Sequence, residues 1–466
     1  MAFVIGAPSS GSGKTLLSIL LTSWAYTNKK SIQTFKVGPD YLDPQQLSLI
    51  SKRPCRNLDL ILSGKEWVKN SFEGYGASAE LSLIEGVMGL FDGVGASERG
   101  STADIALLLK LPVVMILDAR GQAASIAPLI KGFRDQSSNL EIAGVVLNHV
   151  NSQRHKALLT EVLENNKIQV LGSIPNSDEL FLPSKYLGLA PAHEIQNLKS
   201  KIKIWSSIAK KCLDIDYFSK LLEAPKSGIN PIKKIIYMKE IKKKEKINYP
   251  IAIAKDNAFH FRYSETKEIL EELGMPVIDW EIVNDQPIPK EARGIIIPGG
   301  FPEQYAEEIS NSKRSLNDIN KLFGKIPIYA ECGGMLILGK SLYDTKGNKH
   351  SMAGILPFEA KEGKLEVGYR EIKGIKDSLI MKKDQTLIGH EYHKWQINLI
   401  NQQTRINSSS YPEMNSISSP WMLKGWGLTK KREGWSNDFL HASWIHLHWP
   451  TAEKVISLWT NSIKDF

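Results

Sequence analysis

The chain has 466 residues, 42% of them hydrophobic and 23% charged, with a formal net charge of +9. At roughly 150 residues per domain this length points to about three domains and at least two, and the balance excludes disordered, collagen-like and fibrous classes. No apolar run approaches the roughly 18 residues of a membrane span, and three scattered cysteines (Cys55, Cys212, Cys332) exclude a disulfide framework.

The opening run MAFVIGAPSS enters a strand directly, with no basic leader or cleavage site, so a cytoplasmic protein is expected. Strand-like apolar runs follow at 3–5, 34–37, 81–84, 113–117, 144–147 and 169–171, separated by helix-length segments. That alternation is the pattern of a parallel sheet with crossover helices. Between Lys233 and Lys246 stand seven lysines against Glu240 and Glu245, which is more than half of the chain's +9. One local run of this kind reads as a solvated linker, so no nucleic-acid surface is expected. The α/β pattern restarts at 251–254, 294–297 and 326–330, and from 354 to 449 shorter strands and polar loops predominate, with a poorly patterned insert near 398–421. The organisation expected is an α/β domain over 1–195, a mostly helical connector over 196–249 and a second α/β domain over 250–466.

The segment Gly6-Ala-Pro-Ser-Ser-Gly-Ser-Gly-Lys-Thr15 lies between the first strand and a helical run at 16–24. Glycines turn backbone N–H groups inward around phosphate oxygens, and the helix N-terminus adds its dipole. Gly11, Ser12 and Gly13 would cradle the phosphates, Lys14 would reach the outer ones, and the Thr15 hydroxyl would sit on Mg²⁺. Pro8 stands at the second residue after Gly6, so the loop is a variant of the common form. FKVGPDYLDP places Lys36, Asp40, Tyr41 and Asp43 just past a strand end, IEGVMGLFDG does the same for Glu85, and Ser101 or Thr102 caps the next helix. Strand ends are where open α/β sheets bind ligands. Thr15, Asp40 and Glu85 are the expected Mg²⁺ ligands, because this ion takes hard oxygens. Lys36, Tyr41, Asp43 and Ser101 are substrate candidates. Asn148 reads either as an adenine contact or as a turn asparagine.

In the second half, IYAECGGM runs from a strand into a helix-like segment at 335–342. A cysteine at such a turn, Cys332, is presented as a nucleophile, with a helix N-terminus to favour its thiolate. A free thiol is only a few per cent ionised at neutral pH, so a base is needed. HASWIHLHW supplies His446 and His448, expected on one face of a strand. Backbone amides of Gly299 and Gly300 in the PGGFPE turn, with Gly333 after the cysteine, would hold the oxyanion of a thioester-forming reaction.

Taken together, APSSGSGKT, FKVGPDYLDP, IEGVMGLFDG, GSTADIA, PGGFPE, YAECGGM, GYRE, GHEYH and SWIHLHW resemble the cobyrinic acid a,c-diamide synthase family over nearly the whole chain. The resemblance implies a dethiobiotin-synthetase-like P-loop domain followed by a class I glutamine amidotransferase-like domain, both α/β. It implies ATP-dependent amidation of the a- and c-acetates of a corrin polycarboxylate with ammonia from L-glutamine, through a phosphorylated carboxylate. Cys332 is then the nucleophile and His446 the residue that raises its nucleophilicity, with Glu391 and His393 at the same site. A homodimer is compatible with this plan. Three positions depart from the family pattern: Gln45-Gln46-Leu47 where a histidine is usual, Lys185-Tyr186 in place of Arg-His, and His448 where the class I triad has its glutamate. Hydrogenobyrinic acid or a nickel tetrapyrrole stay open as substrates. From another class, a ParA-like switch ATPase with an inactive glutaminase domain also stays open.

Overall fold

The computed structural model describes residues 2–150, 152–180, 184–185, 188–189, 191–238, 248–400 and 417–464, without side chains at 184–185, 188–189 and 237–238. Two units divide the chain, Met1–Lys234 and Ile235–Phe466.

In the first unit the six apolar runs become β1 (Phe3–Gly6), β2 (Ile32–Val37), β4 (Leu81–Glu85), β5 (Val113–Asp118), β6 (Ile142–Val150) and β7 (Val170–Pro175), and a short strand that no run marked, β3 (Arg56–Leu58), joins them. They form one parallel sheet in the order β3-β2-β4-β1-β5-β6-β7. Phe3 and Ile5 face one core cluster and Val4 another, the period-two alternation of a strand buried on both sides. Helices α1 (Lys14–Thr27), α2 (Asp43–Ser51), α3 (Gly64–Gly76), α4 (Thr102–Leu109), α5 (Ile126–Gln136) and α6 (Gln153–Asn165) make the crossovers. The direction of winding reverses beside β1, which opens a crevice at the carboxyl ends of β1, β2 and β4.

A ribbon of β8 (Ser184–Lys185) and β9 (Gly188–Leu189) precedes α7 (Leu198–Cys212), α8 (Ile215–Leu221) and α9 (Pro231–Met238). Ile202, Trp205, Ala209 and Phe218 share a core cluster with Leu17 and Leu20 of α1. Much of the segment read as a connector is thus built into the first unit, because its apolar residues recur at helical spacing and find a partner. The greater part of the lysine run, 239–247, lies outside the described residues, as do 401–416 of the unpatterned insert and the side chains of Lys185 and Tyr186.

The second unit opens with β10 (Ile251–Ala254), α10 (Ser264–Glu272), β11 (Val277–Trp280), β12 (Gly294–Ile297), α11 (Ala306–Asn311), α12 (Lys313–Leu322), β13 (Ile328–Glu331) and α13 (Gly333–Leu336). Next come β14 (Ser341–Tyr343), β15 (Lys349–Ser351), β16 (Phe358–Gly374), β17 (Thr386–Leu399), β18 (Trp421–Gly425) and β19 (Leu428–Glu433). The last elements are β20 (Trp435–Ser436), β21 (Leu440–Ser443), β22 (Ile445–His446) and α14 (Glu453–Lys464). One sheet runs β11-β10-β12-β13-β21-β20, parallel apart from β20. The other is built on a hairpin of β16 and β17, 17 and 14 residues long, where short strands were expected. All three cysteines are free, and no described helix is long and apolar enough to cross a membrane.

Candidate active sites

In the first unit the loop after β1 closes on itself. Gly13 caps α1 with φ 115°, and a Cβ there would stand 2.4 Å from Asn148 Nδ2, so only glycine fits. Lys14, the first residue of α1, is buried, and its Nζ donates to the carbonyls of Ser9 (3.2 Å) and Met88. Burial, helped by the charge of Lys36, lowers its pKa to about 8.

Beside the loop, Thr15 Oγ1 donates to Glu85 Oε1 at 2.6 Å and lies 3.4 Å from Asp43 Oδ2. Lys36 Nζ stands between Asp43 Oδ2 (2.6 Å) and Glu85 Oε1 (2.7 Å), with Asp40 Oδ2 at 3.7 Å. Burial opposes the Lys36 charge, but Asp43, Glu85 and Asp40 together hold its pKa well above the ordinary value. Burial likewise pushes Asp40 up to about 7, with Asp43 reinforcing and Lys36 opposing, and pushes Glu85 up against the pull of Lys36. At Asp43 burial is outweighed by Lys36, and the carboxyl falls below its usual range.

Of the three residues expected at a metal, Thr15 and Glu85 are in direct contact. Asp40 Oδ1 accepts from the backbone N–H groups of Leu42 and Asp43, capping the entry to α2, and Asp43 is the carboxylate that meets Thr15. No cluster of three metal-ligating side chains occurs among the described residues. A hydroxyl and two carboxylates fit an ion that takes its remaining ligands from phosphate oxygens and water. Glu85 Oε2, buried with no hydrogen-bond partner, has lone pairs of the kind a hard cation takes.

Asn148, at the end of β6, donates from Nδ2 to Ser12 O at 3.0 Å and accepts from His149 N at 3.0 Å. Both ends of its amide are engaged within the protein, and the bond to Ser12 braces the loop. Ser101 caps α4, accepting from Asp104 N at 3.2 Å. Tyr41 is buried next to the Asp40 cap.

In the second unit β13 ends at Glu331, and Cys332 turns into α13 with φ 48° and ψ −116°. Such a backbone on a non-glycine residue costs about 1–3 kcal/mol and persists where its surroundings impose it. Cys332 N donates to Ser443 O at 2.7 Å, and the thiol donates to Tyr392 O at 3.3 Å. The helix expected after it is a single turn, Gly333–Leu336, and so offers little dipole to a thiolate. Burial, reinforced by Glu303, Glu331 and Glu391, pushes the thiol pKa far up, and the resting sulfur keeps its proton.

Gly299 brings the pair together. A Cβ there would lie 2.5 Å from His446 Cε1, 3.3 Å from His446 Nε2 and 3.3 Å from Cys332 Cβ. A Cβ on Gly333 would lie 3.1 Å from Gly300 N, so the three glycine backbones surround the nucleophile turn. Burial, and then the charges of His390 and His393, lower His446 to about 3, leaving a neutral imidazole that can accept a proton.

His448 does not share a strand face with His446, because β22 ends at His446. Its Nδ1 meets Thr451 Oγ1 at 2.8 Å and its ring stands edge-on to Tyr263. The carboxylate that faces His446 Nδ1 is Glu331, at 3.9 Å, which the residue spacing did not single out. On either side of Tyr392, Glu391 binds Arg370 Nε at 2.5 Å, and His393 Nε2 at 3.0 Å, while His393 stacks on Trp444.

A phosphate-loop α/β unit followed by a cysteine–histidine α/β unit defines a nucleotide-binding domain joined to a glutamine-amidotransferase-type domain. Family models agree: a CobQ/CobB/MinD/ParA nucleotide binding domain matches residues 3–188, and a CobB/CobQ-like glutamine amidotransferase domain matches 250–454. The cobyrinate a,c-diamide synthase of Caldanaerobacter subterraneus subsp. tengcongensis is 35% identical over 472 residues, covering 100% of this chain and 98% of that protein. That of a Synechococcus species is 35% identical, covering 96% and 95%. The hydrogenobyrinate a,c-diamide synthase of Mycobacterium bovis is 32% identical, covering 96% and 94%. The chain belongs to this a,c-diamide synthase family.

Proposed function

We propose that the chain amidates the a- and c-acetate carboxylates of cobyrinic or hydrogenobyrinic acid, using ATP and the amide nitrogen of glutamine. The observation that carries the proposal is the meeting of Cys332 and His446 on Gly299, in a chain whose other unit holds a phosphate loop. As Cys332 sulfur bonds to the glutamine carboxamide carbon, its proton passes to His446. The C–N bond then breaks, that proton leaves with ammonia, and water hydrolyses the glutamyl thioester. Near the oxyanion, the amides around Gly299, Gly300 and Gly333 supply fixed dipoles.

In the first unit a corrin carboxylate oxygen takes the γ-phosphoryl group of ATP, and ammonia displaces phosphate from the acyl phosphate to leave the amide. Lys14 neutralises the transferred charge, and the Gly11–Gly13 loop positions it. Mg²⁺ would be held by Thr15, Glu85 and Asp43, with Asp40 beyond, and would screen the phosphate charges. Lys36 holds these carboxylates together and favours their charged forms, offsetting part of their mutual repulsion. ATP and glutamine as substrates suit a cytoplasmic enzyme.

Mass spectrometry tests this directly. Incubation with cobyrinic acid or hydrogenobyrinic acid, ATP and amide-¹⁵N glutamine should give two successive labelled amidations; an unlabelled, unchanged corrin in both reactions would overturn it. The retained Cys332–His446 geometry disfavours a switch ATPase with a dead glutaminase.

A further inference from the structure

We propose that Glu331 completes the relay of the second unit as a positioning residue, orienting the His446 imidazole through Nδ1 so that Nε2 receives the Cys332 proton. The proposal rests on reading Cys332 and His446 as the glutaminase pair.

The position that would supply a third member by spacing, His448, is turned to Thr451 and Tyr263. Glu331 is buried at the end of β13, and its Oε2 lies 3.9 Å from His446 Nδ1. Two donors hold that oxygen, Tyr329 OH at 3.1 Å and Leu447 N at 3.1 Å. Tyr329 sits two residues earlier, on the same side of the strand. Leu447 follows His446 directly, so the carboxylate is tied to the backbone that carries the imidazole. Contacts of 3.9 Å are longer than a hydrogen bond, and catalytic contacts of this kind shorten when substrate binds. Because the nucleophile is the next residue after Glu331, one turn of chain fixes both the sulfur and the group that orients its base.

The protons balance without Glu331 changing its own state. The thiol proton moves to His446 Nε2 as sulfur bonds to the carboxamide carbon, the Nδ1 proton stays toward Glu331, and the Nε2 proton leaves with ammonia. The titratable groups that face Glu331 are Tyr329 from β13, His446 from β22 and the adjoining Cys332. Burial lifts Glu331 to about 8, against the donors Leu447 and Tyr329. Its charged share therefore grows as pH rises toward 8, and glutamine hydrolysis should climb with it.

Glu331→Gln keeps an acceptor for Leu447 and Tyr329 but removes the charge. The expected result is a kcat for glutamine hydrolysis at least about tenfold lower, with KM within about threefold, a flattened rise toward pH 8 and full ammonia-driven amidation. An unchanged kcat and pH profile would overturn the proposal, and so would an equal loss of ammonia-driven amidation, which marks a structural role. Cys332→Ser, assayed alongside, separates the two readings. If it still hydrolyses glutamine, the glutaminase assignment itself fails; if it does not and Glu331→Gln is unaltered, only the role of Glu331 fails.

Discussion

The side-chain amide of Asn148 donates to the carbonyl of Ser12 at 3.0 Å, joining the carboxyl end of the sixth strand, two places along the sheet from the first, to the phosphate loop. The bond is buried, and it explains why Gly13 has no room for a side chain. A buried hydrogen bond of this type contributes about 1 kcal/mol and costs more when one partner is left unsatisfied. Asn148→Ala should therefore raise the KM for ATP roughly 5- to 30-fold, as 1–2 kcal/mol dictates. Glutamine hydrolysis measured without ATP should be unchanged.

Lys36 presents the opposite case, a charge held by two carboxylates. Removing one partner of a buried ion pair costs about 3–5 kcal/mol, because the remaining charge has nothing to face. Lys36→Met should lower the unfolding free energy of the first unit by about that much. Adding Glu85→Gln should recover part of the loss, since it removes one of the stranded charges. Calorimetric unfolding of the single and double variants checks both.

The pKa of Lys14, lowered by burial and by Lys36 to about 8, gives ATP binding a pH dependence. In the free protein the ammonium that meets the triphosphate is lost as pH rises through about 8, so the KM for ATP should increase above that pH. The stability effect has the other sign. Unfolded lysine keeps its proton to about 10.5, the unfolded state binds more protons between the two values, and the fold gains stability from this group as pH rises through that window. Lys14→Gln should flatten the KM profile, which initial-rate measurements from pH 7 to 9.5 would reveal (range roughly bracketing the shifted value).

Gly299→Ala should strike the glutaminase alone. Its methyl would lie 2.5 Å from His446 Cε1 and 3.3 Å from Cys332 Cβ, so the ring or the turn must move. Displacements near 1 Å cost about 100-fold in rate. Glutamine-dependent amidation should fall by about that factor while ammonia-dependent amidation persists, read by supplying each nitrogen source in turn.

The phosphate loop was legible in the sequence because its chemistry is contiguous: glycines, lysine and threonine act from neighbouring positions. Cys332 was legible for a related reason, as a cysteine at the end of an apolar strand, whereas His446 was told apart from His448 only by the family resemblance. Asp40 and Asp43 sit in one motif, and only the curl of chain into α2 decides which of them caps and which meets Thr15. The brace by Asn148 and the approach of Glu331 to His446 are tertiary, made by strands distant in sequence, and no local spacing encodes them. Among the strands, Arg56–Leu58 was too short to show, and the hairpin of β16 and β17 was hidden by the charged residues along it. Its buried Phe358, Ala360, Arg370 and Ile372 recur at even spacing, but an arginine among them breaks the apolar signature.

The proton that Cys332 holds at rest has a consequence for the protein between turnovers. Peroxides and alkylating agents attack thiolates, not thiols. A sulfur that is 3% exposed, bonded through its own hydrogen to Tyr392 O and raised in pKa by burial offers them little anion. The same enclosure that makes the nucleophile wait for its substrate also shelters it from chemical ageing, so an idle molecule should outlast one with a permanently ionised cysteine.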